Sequence, residues 1–301
     1  MGEVNYRPII QDMTWSYSRI KSFGDCPYRW FLKYIQPILL IRQVFGGERP
    51  TKADIDAAYV RSELEKDDVG ILYAYLGIEK KEQFFASYGT FMHKLIELYY
   101  RGEKTPQQLC DMYLQEFKTQ VHGRAPNRTV FANYFKSGIQ YLRGFKPFPY
   151  ETVAVEKKVD FSLNGIPFVG YIDYLGEQGQ DLFVVDNKSR VLKPRSNRAK
   201  PTKTDEELDA YLTQLYLYSV AVEHEYGRLP KALCFNCFRT PILIEEPFKE
   251  EAYAASKLWL SEQVEAIKGE KEFRPNMEFF KCKHLCEMQD FCEYCELSGK
   301  R

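Results

Sequence analysis

Asp173, Asp186 and Lys188 are the residues whose types and spacing could do chemistry. The stretch Val169 to Arg190, VGYIDYLGEQGQDLFVVDNKSR, reads as two apolar strands joined by the polar turn Glu177-Gln178-Gly179-Gln180. Side chains alternate along a strand, so Asp186 and Lys188 share one side and Asn187 takes the other. Antiparallel pairing can bring Asp173 beside them. Two carboxylates and a lysine at the end of an apolar hairpin are costly unless something compensates their charge. A divalent cation does so naturally, because Mg²⁺ and Mn²⁺ suit hard oxygen ligands. D-x-K alone is a frequent pattern, and a solvated surface hairpin would carry it as well.

Other elements must position these groups. Gly89 to Tyr100, GTFMHKLIELYY, predicts a helix with Met92, Leu95, Ile96 and Tyr99 or Tyr100 inward, and with His93 among them. Thr105 to Phe145 reads as amphipathic helix broken around His122 to Asn127. Val153 to Phe161, VAVEKKVDF, alternates as a strand that carries Glu156, and Asn164-Gly165 turns it into the next strand. Beyond the hairpin, Asn187 to Thr204 holds seven basic residues and no acidic one, a loop placed to meet a phosphate backbone. Thr204-Asp205-Glu206-Glu207 reads as a capping box opening a helix to Tyr226, stopped by Gly227. Tyr211, Gln214, Tyr218 and Val222 fall on one face of it. Glu251 to Lys268 is a further helix.

The cysteines pose a separate question. The chain has 301 residues, zero formal net charge and eight cysteines. Balanced charge excludes a global basic field, so a nucleic acid would be met by a local patch. No apolar run approaches the ~20 residues of a membrane span, and the N-terminus lacks a signal-peptide core. The expectation is a cytoplasmic protein with no membrane partner, in which cysteines serve metals rather than disulfides. Cys234 and Cys237 sit in strand-like sequence and read as buried packing residues. Cys282, Cys286, Cys292 and Cys295 crowd one short tail, a strong metal signal. In Thr14 to Tyr34 a helix starts after Ser16 or Ser18, breaks near Gly24 and restarts at Pro27, leaving Cys26 at the second start.

The order of these motifs resembles the PD-(D/E)XK nuclease superfamily: G-x-x-x-H at Gly89 to His93, G-x-I-D ending at Asp173, Asp186-Asn187-Lys188, then Q-x-x-x-Y at Gln214 and Tyr218. S-x-S-R-I-x-x-F-x-x-C-P-Y-R-W is similar to the opening of its RecB-like branch, which includes CRISPR-associated and AddB-type iron–sulfur exonucleases. The resemblance implies an α/β fold, a restriction-endonuclease-like core with a central mixed sheet flanked by helices. It also implies one nuclease domain over 1–301, with a helical insertion at 36–88 and a cysteine-rich tail at 270–301. His93, Asp173, Asp186 and the Asn187 carbonyl would hold Mg²⁺ or Mn²⁺, with Lys188, Gln214 and Tyr218 completing the catalytic set; Glu156 matches a glutamate often found in the family. A [4Fe–4S] cluster would take Cys26, Cys282, Cys286 and Cys292. Zinc on Cys282, Cys286, Cys292 and Cys295 is the alternative, because the tail's C-x3-C-x5-C departs by one residue from the family's C-x2-C-x5-C.

The function so implied is a DNA exonuclease on single-stranded ends. It would act in recombination, repair or phage biology, beside helicase, recombination or CRISPR partners, in a bacterial or phage-infected cytoplasm. A catalytically silent nucleic-acid-binding adaptor of the same fold and a zinc-stabilised interaction module are the competing readings.

Overall fold

The computed structural model describes residues 6–79 and 83–295. The chain divides into two compact units, Met1–Gln83 with Glu262–Arg301, and Phe84–Ser261.

The first unit opens with α1 (Arg7–Gln11), α2 (Tyr17–Asp25), α3 (Pro27–Tyr34), α4 (Gln36–Phe45), α5 (Lys52–Val60) and α6 (Lys66–Leu76). Ser16 caps α2 by accepting the Arg19 N–H, and Cys26 separates α2 from α3 with Pro27 in the first turn, as the sequence suggests. Apolar side chains of α3 to α6, among them Leu32, Leu40, Ile55 and Leu72, form one core cluster with Met288.

The second unit begins with α7 (Phe84–Tyr100), α8 (Pro106–Gln120) and α9 (Arg128–Arg143). Helix α7 starts five residues before the expected Gly89, because Phe84 and Tyr88 are buried in the cluster shared with α8 and α9. The strands β1 (Glu151–Leu163), β2 (Ile166–Gln178) and β3 (Asp181–Lys188) follow. Asn164 and Gly165 both take positive φ, 52° and 78°, which a tight two-residue hairpin turn requires. Helix α10 (Lys203–Tyr226) then crosses to β4 (Ala232–Cys237) and β5 (Ile242–Pro247). Its cap is Thr202, three residues before Asp205, and not the expected Thr204: Thr202 and Asp205 satisfy each other's backbone N–H.

The sheet order is β1-β2-β3-β4-β5. All neighbours are antiparallel except β3 and β4, which run parallel after the α10 crossover. Helices cover both faces. Asp186 meets Gln214 of α10, whereas the neighbouring Asn187 meets Asn236, itself bonded to Tyr141 of α9. This is the mixed α/β sheet flanked by helices that the sequence implies. Leu215 through Ser219 of α10 are all buried, so that turn is covered on every side. Helix α11 (Glu250–Gly269) and the short α12 (Phe279–His284) lead to the cysteine-rich segment.

Candidate active site

The site begins where the β2–β3 ladder opens. Regular pairing ends at Tyr174 and Val185. One residue further, the Asp173 carboxylate accepts the Asn187 backbone N–H at 2.6 Å, taking the place of a strand partner. That bond holds the Asp173 carboxylate against the D-x-K segment. Strand β3 continues against β4 as far as Lys188 and Cys237, so the D-x-K segment is held on its other edge.

Asp186 is 5% exposed. Its Oδ1 accepts Gln214 Nε2 at 3.0 Å, and Gln214 Oε1 accepts Lys188 Nζ at 3.0 Å. Gln214 Nε2 also donates to the Tyr218 hydroxyl at 2.9 Å. Both ends of the buried amide are thus satisfied, which fixes its orientation. Lys188 Nζ lies 2.8 Å from Asp186 Oδ2 as an ion pair, and that buried oxygen accepts no aligned hydrogen bond. Lys188 also lies over the rings of Tyr211 and Phe235.

Across the gap, His93 Nδ1 stands 3.4 Å from Asp173 Oδ2. Ligand atoms of His93, Asp173 and Glu156 all lie within 4.8 Å of one another. The Asp186 carboxylate is held toward Gln214 and Lys188, so Asp173 stands between two clusters of donors. Burial and then the nearby Asp186 push the Asp173 carboxyl well above its usual range. Burial followed by Asp173 raises Glu156 to about 7. Burial holds the His93 imidazole below its ordinary value, with Asp186 and Glu156 acting in opposition. Buried like charges of this kind fit a divalent cation: Asp173, Glu156 and Asp186 supply hard oxygens, and a neutral His93 supplies a nitrogen.

Glu156 is a residue that the resemblance points to and the strand pattern does not. Its φ of 49° breaks the regular alternation of β1, so counting faces along VAVEKKVDF does not place it beside Asp173. Asn236, whose amide donates to Asn187 Oδ1 and to the Tyr141 hydroxyl at 2.7 Å each, carried no signal at all, and neither did Tyr141.

The basic run after β3 differs from its expected role in part. Arg195 is committed to Asp209 and Glu246, and Arg190 to Glu207. These arginines pin the loop to α10 and β5 because acidic partners lie within reach, and only part of the run's charge is left to solvent. Cys234 and Cys237 are buried strand residues, as expected.

In the first unit, Cys26, Cys282, Cys286, Cys292 and Cys295 line one small pocket. Cys26 Sγ accepts the backbone N–H groups of Arg29 at 3.5 Å and Asn276 at 3.4 Å. Cys282 Sγ donates to the Asn276 carbonyl at 3.6 Å. Burial raises the Cys286 thiol to about 12 and pushes Cys292 upward as well, a cost that a bound metal would remove. Among the described residues, no three of these sulfurs lie within 4.8 Å of one another.

This fold and site define a class. A family model described as the PD-(D/E)XK nuclease superfamily matches residues 71–293, and the chain belongs to that superfamily. Among solved structures, one titled "Crystal structure of SSO0001" is similar at 16% identity, covering 68% of this chain and 95% of that one with a TM-score of 0.27. No curated protein matches the chain. Among the described residues no helix is long and apolar enough to cross a membrane.

Proposed function

We propose that this chain is a metal-dependent deoxyribonuclease that degrades single-stranded ends, of the RecB-like iron–sulfur branch of its superfamily. The observation that carries the reading is the convergence of Asp173, Asp186, Lys188 and His93 at the open end of the β2–β3 ladder. Asp173, Asp186, His93 and the Asn187 carbonyl would hold Mg²⁺ or Mn²⁺, with Glu156, which meets His93 and Asp173, as a further oxygen donor. When bound, the ion supplies Lewis acidity and a lowered pKa for water. Lys188 sits between Asp186 and Gln214, where its ammonium can orient an attacking water and offset charge that builds on a phosphoryl oxygen. Gln214 keeps Asp186 and Lys188 in register, and Tyr218 keeps Gln214 in place.

The meeting of Cys26 with the tail is what favours an iron–sulfur cluster over zinc on the four tail cysteines alone. Cys26, Cys282, Cys286 and Cys292 remain the proposed ligands, and Cys26, as the cap of α3, brings the N-terminal helices to the tail.

The test is digestion of an end-labelled single strand with Mn²⁺ or Mg²⁺ and with chelator. Metal-dependent shortening from an end is the expected result. Tight binding with no shortening under any metal would favour a silent adaptor and overturn the reading.

A further inference from the structure

Arg239 is a cation that the arrangement above leaves without a counter-charge. It lies two residues beyond Cys237, the end of β4, and Cys237 is the register partner of Lys188. The parallel pairing therefore delivers Arg239 to the same sheet end as the D-x-K segment. The preceding Phe238 packs edge-on against the His93 ring at 6.0 Å, which ties this corner to the candidate metal ligands.

Its guanidinium lies 3.8 Å from the centroid of Tyr134 and donates from Nη1 to the Tyr134 hydroxyl at 2.9 Å. No carboxylate is within ion-pair distance of it among the described residues. Arg195, Arg190 and Lys188 all have one. Its Nε is buried and bonds to nothing. A guanidinium seated over a ring, with no carboxylate claiming its Nη groups, can offer them to the oxygens of a phosphodiester.

We propose that Arg239, held by Tyr134, is a phosphate clamp that grips a backbone phosphate adjoining the one cleaved. The proposal rests on the nuclease reading and deepens it. It names a contact that recognises a strand rather than a lone phosphodiester. Binding one such phosphate adds sequence-independent, salt-sensitive affinity.

The experiment measures binding of a fluorescent 12-nucleotide single strand in EDTA across a salt series, for the full-length protein and for Arg239→Gln and Arg239→Lys. The same proteins are then assayed with Mn²⁺ on bis(p-nitrophenyl) phosphate, which has no neighbouring phosphate. Arg239→Gln should weaken strand binding about tenfold and flatten the log–log salt slope by about 0.7, the value for one contact on a single strand. It should leave hydrolysis of the small diester at the wild-type rate. Arg239→Lys should keep the slope while binding less tightly. Wild-type affinity and slope in Arg239→Gln would overturn the clamp while leaving the nuclease reading intact. A slope that falls equally in Arg239→Lys would also overturn it, by assigning the loss to packing on Tyr134. Absence of Mn²⁺-dependent hydrolysis of either substrate by the wild-type protein would instead overturn the nuclease reading on which the clamp depends.

Discussion

The ring of Tyr218 lies directly on Gly170, so close that a Cβ at Gly170 would stand 2.3 Å from Cε1 of the ring. This contact joins two motifs that are 48 residues apart in the sequence. The glycine of G-x-I-D makes room for the tyrosine of Q-x-x-x-Y, and that tyrosine holds Gln214 against Asp186. Gly170→Ala should therefore displace Tyr218 and destabilise the fold by about 1–3 kcal/mol, the usual range for overpacking. Thermal unfolding and cleavage should decline together. Unchanged unfolding would show that the ring has room to move.

Gln214→Leu preserves size and removes the amide that serves Asp186, Lys188 and Tyr218 at once. Leaving these buried groups short of partners should cost about 1–3 kcal/mol. Misplacement of Lys188 should lower cleavage by about 10- to 100-fold. Gln214→Glu should not restore activity, because a carboxylate beside Asp186 adds a like charge. Chemical denaturation and single-turnover cleavage check both statements.

Asp173 tests the electrostatics of the metal-free site. Burial and Asp186 raise its carboxyl in the folded protein, so the folded state holds its proton more tightly than the unfolded chain. Metal-free stability should then fall as pH rises from the ordinary carboxylate value toward the raised one. Asp173→Asn should unfold a few degrees higher than wild type at neutral pH without metal. It should also lose the stabilisation that Mn²⁺ gives the wild-type protein. Thermal melts at pH 5 and pH 8, with and without Mn²⁺, read both effects; a destabilised Asp173→Asn at pH 8 would contradict them.

Gly70 of α6 faces Phe291, whose ring would lie 2.2 Å from a Cβ there. Alanine in a helix interior ordinarily stabilises by about 1 kcal/mol relative to glycine, so a loss would be diagnostic. Gly70→Ala should push Phe291 out and loosen the adjoining Cys292. If the tail holds the proposed cluster, the expected readout is lower iron content and weaker visible absorption in anaerobically purified protein, and full iron loading would argue against this coupling.

Much of the fold was legible because local rules and global packing agree. The β2–β3 hairpin, the Asn164-Gly165 turn and the alternation that puts Asp186 and Lys188 together follow from a period of two and turn chemistry. Where side chains from distant elements make the decision, sequence is silent. The early start of α7 comes from Phe84 and Tyr88 entering the α8–α9 cluster. Glu156 reaches the site through a left-handed backbone turn that no strand pattern announces. Within the basic run after β3, sequence does not show that Asp209 and Glu246 lie near enough to pair with Arg195.

The most direct measurement is cleavage of an end-labelled single strand by wild type, Asp186→Ala and Lys188→Ala at equal iron content, with saturating Mn²⁺. Metal-dependent digestion by the wild type, with loss of activity in both variants while the tail's absorption persists, is the predicted result. Wild-type rates in either variant would contradict the assignment of this site.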